Sequence, residues 1–310
     1  MPQIVITERM HQTSVESLAA EFEVLYDPTL CDHQRDRLAA LGAGCRALIV
    51  RNRTRVDKRL LASFADLKIV GRLGVGLDNI DLDACRTRKI AVQPALGANL
   101  VAVAEYVIAG ILMLLRGAFH DTARVLAGEW PRERLIGSEA YQKTLGILGF
   151  GAIGQAVAER ARALGMRVIA CDPRFAANPE LWQQAGVEAR DFAGLLADSD
   201  VLTLHVPLNT DTRNLIDEAA LAKLKPGALL INTARGGVVD ETALAVALRA
   251  GHLGGALLDV FAREPVGDGS HLVDVPNLFL TPHIAGITRE SDVRVGAMIA
   301  AAVRRALTNL

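Results

Sequence analysis

Short, continuous runs of Val, Ile and Leu recur along the chain, separated by longer stretches in which apolar and polar residues alternate at helical spacing. In the first third the apolar runs fall at 4–6, 22–26, 47–51, 69–73 and 90–92, with helix-like segments at 33–41, 57–64 and 82–88 between them. Unbroken apolar runs belong to strands buried on both faces. That order therefore predicts a small parallel sheet covered by helices. The pattern restarts at Thr144, with strand-like runs at 145–148, 167–171, 201–205, 228–232, 256–260 and 278–280 and a clear helical pattern at 240–250. This predicts a second, larger doubly wound sheet.

A Pro/Gly-bearing connection at 94–99 joins the two halves and leads into a nearly all-apolar stretch at 100–119. A helix apolar on all faces must be covered on all faces. One side is expected to pack on the second sheet and the other to meet a second copy of the chain, giving a homodimer. An intramolecular domain contact is the alternative. The last stretch, 289–310, reads as a helix long enough to return to the first domain.

Composition narrows the function. With 310 residues, 51% of them hydrophobic, the chain can bury two ordinary cores. A net charge of −1 without a Lys/Arg block argues against nucleic-acid or membrane-surface partners. Cys31, Cys45, Cys85 and Cys171 show neither CxxC nor metal-ligand spacing, so no metal is expected and a reduced, cytoplasmic setting is. Met1 runs almost directly into the first strand, so no signal peptide is expected, and the run 101–115 is too short to span a bilayer and carries Glu105.

The second half opens on the stretch with the strongest chemical content. Gly149, Gly151 and Gly154 form G-x-G-x-x-G between the run 145–148 and a helical pattern that begins at Ala152 and Ile153. The first glycine permits the tight turn, the second lets a pyrophosphate approach the backbone, and the third lets the helix pack on the strand. Pyrophosphate charge would face the unsatisfied N–H groups of the helix start. Asp172 stands about twenty residues on, at the end of the next strand, where the dinucleotide fingerprint places a carboxylate on the ribose hydroxyls. A carboxylate there repels a 2′-phosphate, so NAD is expected over NADP, with Arg174 as the residue that softens the preference.

Cations mark the first half. Arg51 and Arg53 lie on a turn after one strand, and Arg72 begins a loop containing Gly74, Val75 and Gly76 whose backbone N–H groups can hold a carboxylate. Pattern alone leaves anion binding and a solvated charge run equally open for Arg51 and Arg72, and favours the solvated reading for Arg55. In the second half three strand ends carry reactive side chains: Thr233, Ala234 and Arg235; Glu264; and His283. Strand-end loops of open sheets converge on the ligand. Apart from His205, the remaining histidines, His11, His33, His120, His252 and His271, read as surface or loop residues.

Taken in order, these stretches resemble the D-isomer-specific 2-hydroxyacid dehydrogenase family. The likeness is carried by 71–81, Asn99 through Val103, Ala104 and Glu105, the glycine fingerprint, 205–208, 232–241, Leu258 and Asp259 with Glu264, and Thr281, Pro282 and His283, and it covers essentially the whole chain. It implies an α/β fold of two doubly wound parallel-sheet domains. A Rossmann cofactor domain at 99–285 would be inserted in a flavodoxin-like substrate domain formed by 1–98 and 286–310. It also implies roles. Arg235 would bind the substrate carboxylate and polarise the carbonyl. His283 would exchange the hydroxyl proton as hydride moves to or from nicotinamide, with Glu264 fixing its tautomer and raising its pKa. Asp259 would contact the nicotinamide amide, His205 would wall the nicotinamide site, Thr233 and Ala234 would line the cofactor, and Asn99 would join Gly74, Val75 and Gly76 around substrate.

Arg51, Arg53 and Arg72 match positions where phosphoglycerate enzymes of this family grip phosphate, which implies a substrate with a second anion on C3. Sulfolactate dehydrogenases of the family share the same stretches, so 3-phosphoglycerate and 3-sulfolactate stand level. No sensing tail like that of the long phosphoglycerate enzymes is expected. Alternatives are a hydroxypyruvate/glyoxylate reductase, or an NADH-sensing co-repressor-like protein without turnover.

Overall fold

The computed structural model describes residues 1–310 except 32–33, 120, 177–178, 268 and 309–310. His33 and His120, and the start of the expected 33–41 helix, lie outside the described residues. The chain divides into two compact units, Met1–Asn99 with Ile287–Leu310, and Leu100–Gly286.

In the first unit β1 (Ile4–Ile6), β2 (Val24–Tyr26), β3 (Ala47–Val50), β4 (Ile69–Arg72) and β5 (Ala91–Pro94) form an all-parallel sheet of order β2-β1-β3-β4-β5. Every residue of β1, β3 and β4 is buried, as a sheet covered on both faces requires. One face packs Ile4, Ile6, Ile49 and Ile69 against Val295, Ile299 and Val303 of the helix Arg289–Thr308. The other packs Val5, Leu48, Val50 and Val70 against Leu60, Leu61 and Phe64. A helix at Gln12–Ala19, not anticipated from the pattern, crosses the Arg289–Thr308 helix where a Cβ on Gly296 would come within 2.6 Å of Ser14 Oγ. Sheet order reverses at β1, so the carboxyl ends of β1 and β3 form the place where ligands bind in such sheets.

The second unit holds β6 (Thr144–Leu148), β7 (Arg167–Cys171), β8 (Glu188–Ala189), β9 (Val201–Leu204), β10 (Leu229–Asn232), β11 (Gly255–Leu258) and β12 (Leu278–Leu280). They form one parallel sheet of order β12-β11-β10-β9-β6-β7-β8. Its switch point lies between β6 and β9, directly under Gly149 and His205. Both units are doubly wound α/β sheets.

The helix expected at 100–119 runs Leu100–Arg116, and the chain leaves it at Gly117, whose φ is +61°. Its description as apolar on all faces is corrected. Val103, Val107, Gly110 and Ile111 are buried against the sheet, whereas Val101, Glu105, Ala109, Leu112 and Arg116 form an exposed stripe with a charge near each end. Among the described residues no helix is long and apolar enough to cross a membrane.

Candidate active site

The glycine turn follows from its neighbours' geometry. Gly149 has φ +90°, and a Cβ there would lie 2.6 Å from the His205 carbonyl oxygen, so only glycine permits the turn beside β9. A Cβ on Gly154 would meet the Gly149 carbonyl oxygen at 2.5 Å, which sets the close approach of the helix Ala152–Ala163 to β6. Gly151, the N-cap of that helix, is the opposite case: a Cβ would touch only Arg174 Nη2, at 3.5 Å. That open space, with the first-turn N–H groups of Ala152, Ile153 and Gly154 above it, fits a pyrophosphate. Thr233 Oγ1 is a second fitting feature, being buried with no hydrogen-bond partner among the described residues. The residues present therefore fit a dinucleotide.

Asp172 sits where the fingerprint expects it, but its carboxylate is already engaged. Oδ2 accepts from Phe150 N at 2.8 Å and Arg174 Nη2 at 2.6 Å; Oδ1 accepts from Arg174 N at 2.9 Å and Nε at 3.1 Å. Burial works against ionisation, yet the Arg174 side chain and the two backbone donors outweigh it and hold this carboxyl below its ordinary range. Asp172 is thus a fixed anion with Arg174 folded onto it. His205 is half-buried at its surface, yet loss of hydration pushes its imidazole down to about 4, so the ring is neutral near pH 7; its Nε2 lies 3.1 Å from Thr203 Oγ1.

Three strand ends of the same unit bring Arg235, Glu264 and His283 together. Asn232, closing β10, accepts from Ala234 N at 3.0 Å and donates to the Arg235 carbonyl at 2.9 Å, which shapes the 233–235 loop. A Cβ on Gly236 would fall 1.7 Å from the Phe261 carbonyl oxygen, so this loop and the one carrying Glu264 are packed backbone to backbone. Glu264 Oε1 accepts from Phe261 N at 3.1 Å and Oε2 lies 2.8 Å from His283 Nδ1. Burial alone would raise the Glu264 pKa; the His283 hydrogen bond and charge, Phe261 N–H and the nearby Arg235 guanidinium together bring it below the ordinary carboxylate value. Glu264 is an anion, and it engages the imidazole through Nδ1, which leaves Nε2 as the ring nitrogen turned away from it.

His283 has φ +53°, a conformation few non-glycine residues adopt, and the loop around it is over-determined. Its N–H donates to the Asp259 and Thr281 carbonyls at 2.8 and 3.0 Å. Asp259, 1% exposed, takes Thr281 Oγ1 and Ile284 N on Oδ1 and Ala285 N on Oδ2, at 2.7, 2.8 and 2.8 Å. These hydrogen bonds of its carboxylate are with this loop. Tyr106, unmarked by any motif, donates to Thr281 Oγ1 at 2.6 Å.

In the first unit the switch-point turn is folded around one carboxylate. Glu8, buried to 5% exposure, accepts from Arg51 N, Thr54 N and Arg53 N at 2.8, 2.9 and 3.1 Å. The expected cation cluster divides there. Arg53 is exposed, whereas Arg51 Nη1 lies 3.5 Å from Asp292 Oδ1, and Arg9 shares that carboxylate at 3.4 Å. Arg72 lies over the neighbouring glycine loop, its Nη1 where a Cβ on Gly74 would be, 1.6 Å away, so glycine at 74 makes room for the guanidinium beside Val75 and Gly76. Asn99 Oδ1 is buried with no partner among the described residues. Glu8 and Tyr106 escaped sequence reasoning because their partners are distant in sequence.

Residues 108–285 match the model of the D-isomer specific 2-hydroxyacid dehydrogenase NAD-binding domain. The chain is 56% identical to the (S)-sulfolactate dehydrogenase of Chromohalobacter salexigens over 307 residues, which is 99% of each. It is 41% identical to the D-3-phosphoglycerate dehydrogenase of Mycobacterium leprae over 307 residues and spans 57% of that protein's length. The crystal structure of the Aquifex aeolicus D-lactate dehydrogenase complexed with NAD and lactic acid is similar at a TM-score of 0.86 and 28% identity, covering 99% of this chain and 96% of that one.

Proposed function

The chain belongs to the D-isomer specific 2-hydroxyacid dehydrogenase family, with NAD as its cofactor, and we propose that it moves hydride between NAD and a 2-hydroxy acid carrying a second anion on C3. The observation that carries this reading is the His283–Glu264 pair at 2.8 Å with Arg235 beside it, in the unit that also holds the glycine turn. Nicotinamide, when bound, accepts or returns the hydride. His283 Nε2 takes the hydroxyl proton during oxidation and returns it during reduction. Arg235 holds the substrate carboxylate as a bidentate fork and draws charge toward the carbonyl oxygen. Ala152, Ile153 and Gly154 meet pyrophosphate, Asp172 the adenosine ribose, and His205, Thr233, Ala234 and Asp259 line the nicotinamide.

Residues 1–98 and 286–310 act as the substrate domain and 99–285 as the cofactor domain. Arg53, Arg72, Gly74, Val75, Gly76 and Asn99 take the substrate's anionic groups, with Arg51 assisting. Because Asp292 compensates part of the Arg51 charge, the remaining cations suit a singly charged sulfonate better than a phosphate monoester at −1.5 to −2. 3-Sulfolactate is therefore placed ahead of 3-phosphoglycerate, in line with the full-length likeness to a sulfolactate dehydrogenase. The test compares 3-sulfolactate with lactate in Arg53→Ala and Arg72→Ala. Each variant should raise KM for sulfolactate about tenfold or more, the worth of roughly one charged hydrogen bond, and leave lactate unchanged. Equal effects on both substrates overturn the C3-anion assignment.

A cytoplasmic homodimer completes the reading. Support comes from Val101 and Leu112 on the outer stripe of the Leu100–Arg116 helix, 41% and 36% exposed, and from Trp130 and Ile136 just beyond it at 73% and 79%. Sedimentation of Leu112→Glu against the parent chain tests it, a monomer being expected.

A further inference from the structure

We propose that Tyr106 is a positioning residue for His283, acting through Thr281 and Asp259; this builds on the reading of His283 as the proton-exchanging group. The geometry points one way along the chain of contacts. A carboxylate only accepts, so the Thr281 hydroxyl donates to Asp259 Oδ1 at 2.7 Å. Its oxygen is then left to accept, and Tyr106 donates to it at 2.6 Å. Both bonds are short, and the second joins residues 175 positions apart, on the Leu100–Arg116 helix and on the loop after β12.

Tyr106 adds an anchor from outside that loop. His283 holds a left-handed backbone at φ +53°, and its ring is aimed by the contact of Nδ1 with Glu264 at 2.8 Å. Asp259 grips the loop from below through Ile284 N and Ala285 N, both at 2.8 Å. The Thr281 side chain joins that grip through Asp259 Oδ1, and Tyr106 gives the same hydroxyl its second contact. A phenol is protonated at neutral pH and burial raises the Tyr106 pKa further, so the hydroxyl is available as the donor in this arrangement. The ring itself packs against the core between the helix and the sheet, so the hydroxyl is held by a rigid body rather than a mobile side chain. Tyr106 touches neither cofactor nor substrate in this scheme; it works on the pose of the imidazole.

The test measures NAD-linked turnover of Tyr106→Phe, Thr281→Val, Thr281→Ser, the Tyr106→Phe/Thr281→Val double variant and His283→Gln in the full chain, each with KM for NAD and a melting curve. Tyr106→Phe should lower kcat about tenfold, one hydrogen bond's worth of alignment, with KM for NAD changed less than twofold. Thr281→Ser, which keeps the oxygen, should stay within about threefold of the parent, and the double variant should match Thr281→Val alone because the link is already cut. Additive losses in the double variant, or a Tyr106→Phe kcat equal to the parent's, overturn the proposal. A lowered melting temperature with unchanged kcat assigns Tyr106 a merely structural role and overturns it as well. His283→Gln separates the two levels: if it turns over normally, the reading of His283 fails; if it is inactive while Tyr106→Phe is normal, only this inference fails.

Discussion

Replacing Glu264 with Gln tests the site by removing a charge while keeping its shape. In the parent, one carboxylate oxygen faces His283 Nδ1 at 2.8 Å and the other Phe261 N at 3.1 Å. Both neighbours are donors, so an amide satisfies one with its oxygen and turns an NH2 against the other. A hydrogen bond to a charged group contributes about 1.5–3 kcal/mol and a neutral one about 0.5–1.5, so the change costs about 1–1.5 kcal/mol. With Glu264 and His283 side chains 31% and 34% exposed, solvent screening favours the lower end. That difference falls on the step in which imidazole becomes imidazolium, so kcat for oxidation should drop about fivefold with KM for NAD unchanged. Stopped-flow NADH formation reads it directly. A second effect has a fixed sign. The folded pKa of Glu264 lies below its unfolded value, so its stabilisation is complete above that unfolded value and is lost as pH falls through the folded one. The variant should lack this acid-side loss in melts below about pH 4.5, taking about 4.3 as the unfolded pKa. Unchanged kcat would refute the role of Glu264 as the group that aims His283.

Three further outcomes follow from contacts in the structure. Gly236→Ala places a Cβ 1.7 Å from the Phe261 carbonyl oxygen, with backbone on both sides, so the protein should lose several degrees of melting temperature and most of its activity, as circular dichroism and turnover will show. His205 is neutral when folded because burial takes its pKa to about 4, whereas the unfolded ring protonates near 6.5. Stability should therefore fall as pH drops from about 6.5 to 4, by up to about 3 kcal/mol at about 1.4 kcal/mol per unit; His205→Gln should flatten that limb in urea titrations, and an equally steep limb would contradict the cause. Glu8→Gln leaves three backbone donors around an amide, so the 51–54 turn should loosen and KM for the C3-anionic substrate should rise about fivefold or more, while KM for NAD stays put.

Much of the scaffold was readable because parallel strands buried on both faces must be continuous apolar runs, and β3, β4, β6, β9 and β10 are fully buried. The glycine turn was readable for a related reason: each glycine answers a separate steric demand, now visible at Gly149 and Gly154. What escaped was of two kinds. The helix Gln12–Ala19 has no side-chain cap and buries only Ser14, Val15 and Leu18, and β8 is two residues held at the sheet edge beside an Arg167–Glu188 ion pair, so neither leaves a periodic trace. The clamps at the site escaped because they are long-range polar contacts. Glu8 reaches 43 positions to Arg51 N, and nothing in local pattern marks a carboxylate for that task. Asp172 and Arg174 were each read, but their mutual capture depends on side-chain geometry that spacing does not encode. The outer stripe of the Leu100–Arg116 helix was misread because Glu105 and Arg116 are few against many apolar neighbours, yet their positions put them on one face.

NADH absorbance followed with the purified chain and a panel of 3-sulfolactate, 3-phosphoglycerate, malate, lactate and glycerate tests the C3-anion assignment in one experiment. Turnover of the C3-anionic acids is expected, sulfolactate foremost, with kcat/KM for lactate and glycerate lower by about a hundredfold, the worth of two charged contacts at about 1.4 kcal/mol each. Equal turnover of lactate or glycerate would contradict the C3-anion assignment, and NADH binding without turnover of any acid would replace the enzyme with a sensor.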